Sequence, residues 1–230
     1  MTSISERLQA VKSRLRQAET KAGRAPESVA LIAVSKTQPA DAIRAAHAAG
    51  QRAFGENYLQ ESLEKMAALA DLPLEWHFIG PIQSNKTRPI AENFAWVHSV
   101  DRLKTAQRLS EQRPAAQPPL NVCIQVNVSG EASKSGCAPQ DLPALAHALA
   151  SLPGLSLRGL MAIPEPASSE AGQRRPLRQL RELAEQLRAE GLALDTLSMG
   201  MSADLAAAIA EGATVVRIGT AIFGERHYAR

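Results

Sequence analysis

Beyond residue 30 the chain repeats a single pattern: a short apolar run, a polar turn, then a stretch with helical spacing. The apolar runs fall at 31–34, 52–54, 76–79, 96–99, 122–127, 157–162, 196–199 and 215–219. Helical spacing occupies residues near 39–49, 57–70, 84–93, 102–113, 139–151, 174–190 and 202–211. Such short apolar runs read as strands buried on both faces, which a parallel sheet clothed in helices provides. Eight strands alternating with helices in 230 residues point to a single (β/α)8 TIM barrel near its minimum size. An open doubly wound sheet is the alternative. Ahead of the repeat, Ile4, Leu8, Val11, Leu15 and Ala18 form one apolar stripe of a helix over 4–22, ended by Gly23 and Pro26. This extra N-terminal helix either plugs one end of the barrel or covers a neighbour. No linker interrupts the pattern, so residues 1–230 are expected to form one domain.

Composition narrows the partners. Aromatic residues make up only 3% of the chain and the net charge is +3, with bases interleaved with acids as in Arg178-Gln179-Leu180-Arg181-Glu182. A nucleic-acid surface of stacking platforms and basic stripes is therefore not expected. The N-terminus has no apolar signal core and no apolar run of about 18 residues occurs, so the expectation is a cytoplasmic protein without membrane association. Cys123 and Cys137 read as buried thiols rather than a disulfide. His47, His98, His147 and His227 show no metal-ligand spacing, and no metal is expected.

In a barrel of this kind the carboxyl ends of the strands converge on the site. The first strand delivers Ser35-Lys36-Thr37 there. Side chains alternate along a strand, so Lys36 shares the side of Val34, which in a closed barrel is the interior. An ammonium held inside must be paired, neutralised or made covalent, and a neutral lysine amine condenses with aldehydes. A solvated lysine at the rim is the ordinary alternative. Ser198-Met199-Gly200-Met201-Ser202 and Gly219-Thr220 follow the seventh and eighth strands, where barrels often bind phosphate, with Ser202 the expected helix cap. Arg217 lies in an otherwise apolar strand and must find an acceptor: a carboxylate in a barrel salt bridge, carbonyls or a ligand ring nitrogen. His77 sits where alternation could turn it inward. An interior lysine, a phosphate cradle and an arginine together suit a phosphorylated aldehyde, and pyridoxal 5'-phosphate fits.

Ala33-Val-Ser-Lys-Thr37, Phe54-Gly-Glu-Asn-Tyr58, Trp76-His-Phe-Ile-Gly80, Gln83-Ser-Asn-Lys86, Glu131-Ala-Ser-Lys-Ser-Gly136, Gly159-Leu-Met-Ala162, Leu197-Ser-Met-Gly-Met-Ser202 and Val216-Arg-Ile-Gly-Thr220 run in order across nearly the whole chain. In these motifs it closely resembles the pyridoxal phosphate homeostasis protein family, whose members carry the alanine-racemase N-terminal barrel fold. The resemblance implies a covalent aldimine between pyridoxal 5'-phosphate and Lys36, with the phosphate between the Ser198–Ser202 loop and Gly219-Thr220. It also implies Arg217 at the pyridine nitrogen, and Asn57, His77 and Met199 near ring or phosphate. Lys86 and Lys134 belong to the motifs without a role being carried over. Gln38 departs from the family, which often has lysine there, and weaker hand-over of cofactor is the implied consequence. Alanine racemases add a C-terminal β domain, which is not expected in this chain. The resemblance thus implies a non-enzymatic protein without catalytic residues; a monomer is expected. It would buffer pyridoxal phosphate, deliver it to apo-enzymes and so affect amino-acid and keto-acid metabolism. A racemase-like enzyme and a lysine Schiff-base aldolase are the alternatives.

Overall fold

The computed structural model describes residues 2–130 and 135–224; His227 and Lys134 lie outside the described residues. Eight parallel strands close into a barrel in chain order: β1 (Ala30–Val34), β2 (Ala53–Glu56), β3 (Glu75–Phe78), β4 (Trp96–Val100), β5 (Leu120–Gln125), β6 (Leu155–Met161), β7 (Thr196–Ser198) and β8 (Val215–Ile218). The ring closes where β8 pairs with β1, from Ala30 opposite Val215 to Ala33 opposite Ile218. Around it stand α2 (Ala40–Ala48), α3 (Leu59–Ala68), α4 (Thr87–Asn93), α5 (Leu103–Gln112), α6 (Leu142–Ala150), α7 (Glu170–Ala189), α8 (Leu205–Ala210) and the single turn α9 (Thr220–Phe223).

Alternation along the strands divides the core in two. Ala33, Phe54, Phe78, Val97, Val122, Leu160, Leu197, Val216 and Ile218 point outward and pack with the helices in one continuous apolar layer. Ile32 and Ile79 stand apart from that layer and face the barrel interior, where a Cβ on Gly55 would come within 2.9 and 3.0 Å of their side chains. Glycine at 55 is what lets these two meet across β2.

The N-terminal helix α1 (Ile4–Lys21) does not plug an end. It is a capping-box helix in which the Ser3 hydroxyl accepts the Glu6 N–H, and its buried stripe of Leu8, Val11 and Leu15 packs on α8, α9 and α2. Because α9 is one turn long, α1 takes the outer position that an eighth barrel helix would fill. Its Glu19 is buried and accepts from the Glu27 N–H, the Ser28 hydroxyl and the Val29 N–H, which fixes the entry into β1.

Two helix starts differ from expectation. The Ser169 hydroxyl accepts the Gly172 N–H at 3.1 Å, so α7 begins at Glu170, ahead of the helical spacing expected from about residue 174. Ser202 is not the cap of α8. Asp204 takes that position and its carboxylate accepts the Met201 N–H at 2.7 Å, which folds 201–204 into a turn before the helix.

Candidate functional site

At the carboxyl ends of the strands lies a cavity of about 290 Å³ lined by Val34, Lys36, Asn57, Ile79, Ile163, Met201, Ser202, Ala203, Arg217, Gly219 and Thr220. Lys36 arrives there because Ser35, between it and Val34, turns the opposite way. The Ser35 hydroxyl donates to Glu56 Oε1 at 2.6 Å outside the barrel wall. Lys65 of α3 donates to the Ser35 carbonyl at 2.7 Å, to Glu56 Oε1 at 2.9 Å and to Glu61 Oε1. Glu61 in turn accepts the Thr37 N–H at 2.6 Å. Thr37 has φ +64°, a left-handed conformation costly for a β-branched residue, and this bond helps hold it. Lys36 therefore projects from a turn tied on both sides to one buried cluster. Burial pushes the Glu56 carboxyl up despite Lys65 beside it, and its Oε2 has no hydrogen-bond partner.

Arg217 reaches the cavity from β8. Its partners are not carboxylates, so the barrel salt bridge is absent there: Nη1 donates to Ser198 Oγ at 2.7 Å and Nη2 to the Ala162 carbonyl at 2.9 Å. Burial lowers its pKa to about 10, which leaves it charged at neutral pH. Behind Ser198 the polar contacts continue. His98 Nδ1 lies 2.8 Å from Ser198 Oγ, His98 Nε2 2.9 Å from His77 Nδ1, and His77 Nε2 2.8 Å from Glu75 Oε1. Burial lowers both imidazoles, His98 strongly, with Glu75 opposing the effect at His77.

The side of the cavity formed by Gly219 and Thr220 is main chain as much as side chain. Helix geometry leaves the first N–H groups of α9, at Thr220 and Ala221, without intrahelical acceptors. Gly219 lies close enough to β1 that a Cβ there would sit 3.2 Å from the Val34 carbonyl. On the far wall, Gly80 packs its backbone so tightly on Asn57 that a Cβ would fall 2.3 Å from the Asn57 carbonyl. That contact seats Asn57, whose buried Oδ1 has no hydrogen-bond partner, in the cavity wall. Such an unpartnered acceptor, beside a lysine, an uncompensated guanidinium and hydroxyls, fits a polar, phosphorylated ring.

Of the residues singled out from the sequence, Lys36, Asn57, Ser202, Arg217, Gly219 and Thr220 come together in this cavity, while His77, Ser198 and Met199 do not line it. Ser198 and His77 are buried behind Arg217, and Met199, one residue out of phase with Ser198, packs in the apolar layer between sheet and helices. Sequence reasoning missed His98, Glu75, Lys65 and Glu61. The alternation of His98 within its strand, and the place of Glu75 two residues before His77 on the same side of β3, were the available signals for two of them. Cys123 and Cys137 are free, buried thiols pushed up to about 12 by burial. Among the described residues no cluster suits a metal ion and no helix is long and apolar enough to cross a membrane.

A closed parallel barrel with a lysine in the turn after its first strand and an arginine on its last defines a class that comparison with known proteins makes specific. The family described as alanine racemase, N-terminal domain, matches residues 7–227. The pyridoxal phosphate homeostasis protein of Pseudomonas aeruginosa is 70% identical over 228 residues, covering 99% of this chain and 98% of its own. The structure of PipY from Synechococcus elongatus PCC7942 with PLP bound is similar at TM-score 0.85 and 43% identity, covering 96% of this chain and 100% of that one. Alanine racemase from Corynebacterium glutamicum shares the fold at TM-score 0.72 and 20% identity, across 95% of this chain and 62% of that one. The chain belongs to the pyridoxal phosphate homeostasis protein family.

Proposed function

We propose that this chain binds pyridoxal 5'-phosphate reversibly through Lys36 and serves as a cytoplasmic reservoir for it, buffering the free aldehyde and passing it to apo-enzymes. The observation that carries the reading is the meeting of Lys36, Arg217, Ser202, Gly219 and Thr220 in one cavity of about 290 Å³. The bound group would supply an aldehyde for the lysine amine and, in an enzyme, an electron sink for carbanions. Ser202, Gly219, Thr220 and the first N–H groups of α9 hold the phosphate, and Asn57 supplies a polar contact to the ring. Arg217, charged and buried, faces the ring nitrogen and keeps a proton off it, which weakens the electron sink. Tyr58 is half exposed at the rim, and among the described residues no second acid or base lines the cavity opposite Lys36. Binding without efficient α-proton chemistry follows, in keeping with the name carried by the relatives.

The test is the absorption spectrum of the purified protein with added pyridoxal phosphate, then borohydride reduction and peptide mapping. A visible band fixed by reduction on the peptide holding Lys36, and lost in Lys36→Ala, is expected. A protein that takes up no ligand overturns the reading. Exchange of an amino acid's α-hydrogen in heavy water at enzymatic rates would replace the reservoir with a racemase-like enzyme.

A further inference from the structure

We infer that Ser198, His98 and His77 are positioning residues for Arg217, forming a one-directional hydrogen-bond wire through the barrel interior from the cavity to Glu75 at the opposite rim. The inference extends the reading above, because it concerns how the guanidinium is aimed at the bound ring.

The direction of every bond follows from donor arithmetic. The Glu75 carboxylate only accepts, so His77 donates from Nε2. A neutral His77 then accepts at Nδ1, and His98 must donate to it from Nε2. His98 is left with an acceptor at Nδ1, so the Ser198 hydroxyl donates there. Ser198 Oγ keeps its lone pairs for Arg217 Nη1. Neutral Nε2–H tautomers of both histidines satisfy all four contacts. The contact between His98 on β4 and Ser198 on β7 spans strands that are not neighbours, so the wire crosses the interior.

Protonating His77 at the Glu75 end reverses this order. His98 would donate to Ser198, whose hydroxyl proton then loses its acceptor inside the barrel. The groups facing the wire favour the neutral state. Trp96 stacks on His77 at 5.6 Å between ring centres, with Arg158 of β6 over the indole at 5.0 Å and itself paired to Asp195. The Cys123 thiol of β5 lies within electrostatic reach of Arg217, as does Asp204 ahead of α8. Among the described residues Glu75 is the carboxylate that acts on the histidine pair, and its side chain is half exposed.

Two measurements decide the matter, one of them without ligand. Nitrogen–proton correlation spectra of the ligand-free protein at neutral pH are expected to show His77 and His98 as neutral Nε2–H tautomers and resolved, slowly rotating Nη signals for Arg217. Ser198→Ala is expected to collapse those Nη signals. An Nδ1–H tautomer or a charged ring at either histidine, or unaltered Nη signals in the variant, overturns the wire. In titrations with pyridoxal phosphate, Ser198→Ala and His98→Leu are expected to bind about tenfold more weakly, the effect of losing one bond to a charged group. His98→Gln, which keeps one donor and one acceptor, is expected to restore most of the affinity. Unchanged affinity in both disrupting variants, shown folded by circular dichroism, overturns the positioning role. A parent protein that takes up no ligand overturns the proposed function, and the ligand-free spectra then decide the wire by themselves.

Discussion

Lys65 shows how a residue that never lines the cavity controls what does. It joins the Ser35 carbonyl, Glu56 and Glu61, and through Glu61 the strained Thr37, so the turn that carries Lys36 rests on one ammonium group. Lys65→Met leaves the fully buried Glu56 carboxylate without its countercharge. Such a change is expected to cost about 3–5 kcal/mol. Urea unfolding of parent and variant should show that gap at neutral pH and a smaller one near pH 5. Acid protonates Glu56, whose folded pKa is raised, and so removes the uncompensated charge. A gap independent of pH would show that packing, not charge, is what Lys65 supplies. At this scale Lys36 and Arg217 were legible because a cation in an apolar strand demands an explanation wherever the strand lies. Lys65 and His98 were not, since their roles depend on which side chains meet across helix and strand or across the barrel.

Among the elements, α1 stands out because it precedes the repeat and yet completes the ring of helices. Its Leu8 is wholly buried against the outer layer. Leu8→Ala is expected to destabilise the protein by about 2–5 kcal/mol, measured by thermal or denaturant unfolding. A loss below about 1 kcal/mol would mean that α1 is an appendage. The stripe of α1, the eight strands and most helices could be read from periodicity, which burial on one face or both imposes directly. The helix starts at Glu170 and Leu205 could not. The first is set by one capping hydroxyl, that of Ser169, and the second by the turn that Asp204 closes with the Met201 N–H, where several hydroxyls and acids lie in reach. The inward or outward sense of Ser198 against Met199 likewise needed the register of β7 with its neighbours, which one sequence does not contain.

For the molecule as a whole, the interior of the barrel buries two imidazoles among its apolar side chains, and this leaves a mark on stability. The folded pKa values of His77 and His98 lie below the unfolded value near 6.5, chiefly through burial. The unfolded chain therefore binds protons that the folded one does not. The contribution of the pair is fully present above about pH 6.5 and is lost as pH falls toward the folded values. Urea midpoints are expected to decline between pH 7.5 and 5.5, and His98→Gln, which removes one titrating ring, to flatten that decline. A parent profile flat over this range would contradict the assignment of neutral rings.

The closure of β8 onto β1 also bears on the order in which the chain acquires its chemistry. Lys36 belongs to the first strand made and Arg217 to the last, while Arg14 of α1 donates to the Ser202 carbonyl beside the cavity, 188 residues away. A partly assembled barrel would hold only part of the site, so ligand take-up becomes possible at the final step of folding. Under the proposed function, uptake of ligand by a growing or refolding chain would therefore report that its two ends have met.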